Sequence, residues 1–154
     1  MKKYQSKTDK YKRLYNQLSL LLDKSPSVQA QMATVNAILY YKIDYIFWIG
    51  FYIINNKILT VGPYQGPLAC QILDYPSGAC WYSILNKKIV NIPDVSKFPG
   101  HIPCDSRSKS ELVIPLLDNS NNIYAVLDID SDKLNAFDIV DEKGISEIVK
   151  LIRS

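Results

Sequence analysis

Apolar positions along the chain change period several times, and each change marks an element. Over residues 5–23, Tyr11, Leu14, Tyr15, Leu18 and Leu22 recur at helical spacing, which predicts a helix with one apolar stripe. Ser25-Pro26-Ser27 interrupts it, and a serine ahead of a new periodic run predicts an N-cap and a second helix over 27–40. Residues 44–54, DYIFWIGFYII, are rich in aromatic and β-branched side chains. They predict a strand that stops at Asn55-Asn56, with 57–62 as the second arm of a hairpin.

Beyond residue 62 the pattern is punctuated by Gly62-Pro63, Gly66-Pro67 and Pro76-Ser77-Gly78, which predicts an irregular stretch over 63–79. ACWYSILN, 79–86, fits a short helix, and KKIVNI, 87–92, a strand. Residues 93–110 carry Pro93, Pro99, Gly100 and Pro103 and predict a long loop, a length that compact domains reserve for function or disorder. ELVIPLLD, 111–118, and IYAVLDID, 123–130, form a hairpin around NSNN, and 138–152 is an amphipathic helix with Ile145, Ile148, Val149 and Ile152 inward. Strands joined by tight turns and bracketed by helices give an α+β fold. The expectation is one domain over 1–154, its central antiparallel sheet covered on one face by N- and C-terminal helices.

Composition narrows the classes. At 154 residues the chain suits a single core. No apolar run approaches the roughly 20 residues that cross a bilayer, and the apolar stretch of the N-terminus is too short for a signal peptide. The reading is cytoplasmic, without a membrane partner. The net charge is +3, with six Lys or Arg among the first fifteen residues. Nothing downstream repeats that basic patch or pairs it with stacking aromatics, so it reads as a solvated helix face and not as a nucleic-acid footprint.

The three cysteines, Cys70, Cys80 and Cys104, lie in the punctuated or long-loop regions. In a reducing compartment an odd count is not a disulfide framework. Three readings remain: small hydrophobes packed under loops, a Cys₃His metal tetrahedron from Cys70, Cys80, His101 and Cys104, or thiol redox chemistry. The metal set lacks any C-x₂-C pair. In the redox reading one thiolate attacks and another thiol resolves. His101, three residues before Cys104, is placed to take its proton, while Asp105 would raise its pKa.

Glu111 opens one arm of the 111–130 hairpin, and Asp128 and Asp130, at i and i+2, share a face of the other. Pattern alone makes the aspartates a solvated strand end. Convergence of the three acids at one end of the sheet would instead suit a small zwitterion, whose ammonium they bind while loop amides hold its carboxylate. A protonated carboxyl there could also supply a proton to a poor leaving oxygen. Trp48 and Tyr52 point to one face of the first strand, as core or as the wall of an apolar pocket.

Together, WIGFY (48–52), GPYQGPLAC (62–70), GAC (78–80), GHIPCDSRSKSE (100–111) and VLDIDS (126–131) resemble the free methionine-(R)-sulfoxide reductases, which are built on a GAF domain. The resemblance covers most of the chain. It implies thiol-dependent reduction of free L-methionine-(R)-sulfoxide without a bound cofactor. Cys104 would attack the sulfoxide sulfur and become a sulfenic acid. Cys80 would resolve it as a disulfide, with Cys70 as auxiliary or alternative resolver. A thioredoxin-type protein, drawing on NADPH, would reopen that bond. Glu111, Asp128 and Asp130 would bind substrate and assist at its oxygen, Trp48 and Tyr52 would surround its methyl group, and the amides of Ile102 and Cys104 would receive its carboxylate. Trp81 stands where the family has Gly, and Pro103 has no N–H to offer. A homodimer is compatible with the aromatic-rich N-terminal helices. The rival expectation is a GAF sensor that binds a small ligand without catalysis.

Overall fold

Five consecutive buried residues at the start of β1 (Trp48–Asn55) and of β5 (Ser110–Leu117) require cover on both faces of the sheet. The computed structural model, which describes residues 2–101 and 104–153, supplies that cover from two unequal layers. The six strands run in the order β3-β2-β1-β6-β5-β4, every neighbouring pair antiparallel. Besides β1 and β5 they are β2 (Ile58–Gln65), β3 (Ile72–Leu73), β4 (Val90–Ile92) and β6 (Ile123–Ser131).

One face carries α1 (Lys2–Leu22), α2 (Val28–Lys42) and α4 (Ile139–Val149). Leu14 and Leu18 of α1, Val35 and Leu39 of α2, and Ile145 and Ile148 of α4 close on Ile49, Phe51, Leu112, Ile114, Leu127 and Ile129 of the sheet. The N- and C-terminal helices thus share one face, as the sequence predicts. Ser27 caps α2 through the Ala30 N–H, and Asp138 with Asp141 forms a capping box at α4.

The other face carries a smaller layer that the expectation did not include. The short helix α3 (Gly78–Asn86) lies there with Leu73, Val90 and Ile92, packing Ala79, Cys80 and Trp81 onto Trp48, Tyr52, Val113 and Val126. Period-2 alternation places Glu111, Asp128 and Asp130 on this same side, because their neighbours Leu112, Leu127 and Ile129 face the large helices. β2 also runs past the Gly62-Pro63 stop to Gln65. Gly50 pairs Tyr64 and Tyr52 pairs Val61, so Gly62 and Pro63 together oppose Phe51 in a bulge, where proline's missing N–H costs no ladder bond.

Candidate active site

A small pocket opens between the second face of the sheet and the loops above it, enclosing about 50 Å³. Its floor is the acid end of the β5–β6 hairpin. Glu111 pairs directly with Asp130, which in turn faces Trp48 across β1, while Asp128 sits between Gly50 and Val113. One wall is the first turn of α3, including Gly78, Ala79 and Cys80, and the mouth is formed by Leu68, Ala69, His101 and Cys104. The structure therefore gathers Cys80, Cys104, Trp48, Tyr52, Glu111, Asp128 and Asp130 around one cavity. Ile102, assigned a backbone contact from the sequence, lies outside the described residues.

The aromatic wall is rigidly held. Trp48 stacks between Tyr52 and Tyr64, with ring centroids 6.0 and 5.5 Å away, and its Nε1–H donates to the Pro67 carbonyl at 3.1 Å. Tyr52 donates its hydroxyl proton to the Cys70 carbonyl at 3.0 Å, tying the sheet to the cysteine-bearing loop. Gly50 makes the stack feasible: a Cβ there would fall 2.6 Å from the Tyr64 Cβ and inside the Trp48 ring contact. Gly50 and Ser108, whose hydroxyl donates to Asp130 Oδ1 at 2.5 Å, are site residues that the sequence reading missed. The small residue between Trp48 and Phe51 was the available signal for the first; nothing in the pattern marked the second.

The carboxylates are deeply buried, Glu111 5% and Asp128 7% exposed. Burial is the main force on all three, and it favours the neutral acid. Glu111 is pushed well above the usual carboxylate range by burial and then by the negative charge of Asp128 and Asp130. Asp130 is raised by burial and by Asp128. Asp128 is raised less, to about 6, because contacts with Glu111 and Cys80 oppose its burial. Glu111 thus favours its neutral acid, beside an Asp128 that is raised less. Glu111 Oε2 and Asp128 Oδ1 are buried with no hydrogen-bond partner among the described residues, so the acid cluster is incomplete as it stands.

Cys104 is joined to Cys70 by a disulfide, with Cα atoms 5.5 Å apart. Of the two resolvers the resemblance implies, Cys80 and the alternative Cys70, it is Cys70 that is bonded to Cys104. Cys70 follows β2 on a loop that reaches the mouth beside Cys104, whereas Cys80 is fixed in the first turn of α3 beneath it, 2% exposed and a free thiol. Burial pushes the Cys80 thiol up, and the Asp128 and Glu111 charges push it further, which makes it a poor nucleophile. The Cys₃His metal set falls with the same bond, since two of its thiols are consumed. Trp81 explains part of Cys80's fixity: its ring is buried in the core edge-on to Tyr75, and Nε1–H donates to the Leu73 carbonyl at 3.0 Å.

His101 Nδ1 lies 3.6 Å from Glu111 Oε2, and burial lowers its pKa, so it faces the acid cluster as a neutral ring. Asp105 does not project a free charge toward Cys104. Arg107 pairs with it through two side-chain N–H groups at 2.9 and 2.7 Å, holding it at about 2, while the guanidinium lies over the Phe47 ring. Pairing cancels much of the field that would otherwise raise the neighbouring thiol.

No protein-family model matches the chain. Among curated proteins it is 43% identical over 148 residues to GAF domain-containing protein A of Dictyostelium discoideum, covering 96% of this chain and 92% of that one. It is 37% identical to the free methionine-R-sulfoxide reductase of Escherichia coli (strain K12) over 94% of this chain and 87% of the relative. Among solved structures, the free methionine-R-sulfoxide reductase of Neisseria meningitidis in complex with its substrate superposes with a TM-score of 0.90 at 32% identity, over 95% of this chain and 87% of that one. The fold is the GAF fold, here with a disulfide at the mouth of an acid-floored pocket. The chain belongs to the free methionine-R-sulfoxide reductase family.

Proposed function

We propose that the protein reduces free methionine-(R)-sulfoxide to methionine, with Cys104 as attacking thiol and Cys70 as resolving thiol. The observation that carries this reading is the Cys70–Cys104 disulfide standing at the mouth of a pocket floored by buried acids whose pKa values burial raises. In the reduced protein the Cys104 thiolate attacks the sulfoxide sulfur. The oxygen passes to Cys104, methionine leaves, and a sulfenic acid forms. The Cys70 thiol then displaces that oxygen as water and gives the disulfide. Two electrons have moved from two thiols to one sulfoxide, and a dithiol protein of the thioredoxin class, fed by NADPH, returns them.

The acids divide two tasks. An ionised member pairs with the substrate ammonium, which supplies the partner that the buried oxygens of Asp128 and Glu111 lack. A protonated member gives its proton to the sulfoxide oxygen, the general-acid role for which a raised pKa suits Glu111. Trp48 and Tyr52 form the apolar wall against the S-methyl group. A ligand-binding module without catalysis has no use for a disulfide at its pocket mouth, which is why the enzyme reading is favoured. A dithiol reductant is in keeping with a cytoplasmic protein. Exposed Leu20 and Leu21 on α1 and Tyr40 and Tyr41 on α2 support a homodimer.

The test is methionine release by protein supplied with a chemical dithiol, on free R, free S and peptide-bound sulfoxide. Turnover confined to the free R form, abolished in Cys104→Ser, is expected. Full activity in Cys104→Ser, or equal rates on all three substrates, would overturn the assignment.

A further inference from the structure

Below the disulfide lies a second set of donors. Cys80 Sγ, one Glu111 oxygen and one Asp128 oxygen all lie within 4.8 Å of one another, each on a buried residue. The elements that hold them are rigid: the first turn of α3 and two paired strands. Glu111 Oε2 and Asp128 Oδ1 have no hydrogen-bond partner among the described residues. His101 Nδ1 stands 3.6 Å from Glu111 Oε2 on the open side. With the disulfide formed, the free space of about 50 Å³ is enough for an ion with one or two waters.

We propose that Cys80, Glu111 and Asp128, with His101 as fourth donor, form a binding site for a thiophilic divalent cation of the zinc class, available in the disulfide form of the protein. The donor set decides the class. One sulfur, two carboxylate oxygens and one imidazole match zinc, whereas magnesium and calcium avoid sulfur. Tetrahedral zinc needs its donors about 2.0–2.3 Å from the metal, so Cys80, Glu111 and Asp128, within 4.8 Å of one another, draw in around the ion and His101 swings toward it from beside Glu111. Cys80 loses its thiol proton and Glu111 its carboxyl proton on binding, and both leave as H⁺, so the step involves no change of oxidation state. The charges that repel one another in the metal-free cluster become the attraction for a dication.

Binding itself does not depend on the proposed reaction. Its consequence does: on that reading the cation binds the oxidised chain at the acids that otherwise receive the substrate ammonium, delays return to the reduced form, and lowers kcat.

The experiment titrates the full chain, with its disulfide intact, with cadmium chloride as probe. Cys80 is then the one free thiol, so a cadmium–thiolate charge-transfer absorption reports on it alone. Expected is a band that saturates at one cadmium per chain, is bleached by zinc and is absent in Cys80→Ser. Glu111→Gln and Asp128→Asn, checked for folding by circular dichroism, keep the saturating band but weaken affinity tenfold or more. No band at micromolar cadmium would overturn the site, as would a band of unchanged affinity in both carboxamide variants, which marks a lone thiol. No turnover is required, so a chain inactive on methionine sulfoxide that gives the expected titration loses the proposed function and keeps the site.

Discussion

Glu111 shows what the pocket demands of a single residue. Its carboxyl is buried beside two others, and its proton is held by that burial and by their charge. An acid whose pKa is raised on folding destabilises the protein at every pH above its unfolded value of about 4.3, increasingly until the folded pKa is passed. Glu111→Gln keeps the shape and the hydrogen-bonding capacity of the neutral acid while removing that cost. The variant should melt at a higher temperature than the wild type at pH 7, and the advantage should vanish as the pH is lowered below about 4. Its rate of sulfoxide reduction should fall about a hundredfold or more, the scale of a lost general acid. A variant that is both less stable and equally active would contradict this role. Thermal melts across pH and methionine release measure the two halves separately, so that loss of activity is not confused with loss of fold.

At the scale of elements, α1 and α4 meet closely. Gly144 in α4 faces the Tyr11 ring so tightly that a Cβ would lie inside its contact surface. Alanine in a helix is ordinarily favoured over glycine by about 1 kcal/mol, but overpacking costs about 1–3 kcal/mol. Tyr11 cannot simply turn away, because its hydroxyl donates to buried Asp141 at 2.6 Å. Gly144→Ala should therefore destabilise by about 1–2 kcal/mol in chemical denaturation, and a gain in stability would show that the contact yields. Helical and strand periodicity in the sequence found both of these helices and the 111–130 hairpin. It missed the continuation of β2 because Pro63 reads as a stop unless its bulge opposite Phe51 is known. It missed two-residue β3 because no period exists in two residues. It placed the acids and aromatics correctly on strand faces. Their convergence, and α3 as the second layer, depended on which loops fold over the sheet.

The whole molecule adds two constraints that no local pattern carries. Asp141 is fully buried, yet it joins Lys7 and Tyr11 of α1 to Tyr45 before β1, with Tyr45 donating at 2.5 Å and the Lys7 ammonium at the same distance. Such a network fixes how α1 and α4 sit on the sheet, because removal of one partner leaves the others buried and unpaired. The second constraint is the cysteine pairing. Positions 70, 80 and 104 permit three disulfides on paper. The β2–β3 loop brings Cys70 to Cys104, and α3 keeps Cys80 below with its thiol among carboxylates.

A single-turnover thiol count tests that pairing. Fully reduced protein, freed of reductant, is mixed with excess free methionine-(R)-sulfoxide; methionine, remaining thiols and disulfide-linked peptides are then quantified. Expected are one methionine per chain, a fall from three thiols to one, and a Cys70–Cys104 peptide with Cys80 still free. A Cys80–Cys104 peptide, or methionine formed with all three thiols retained, would contradict it.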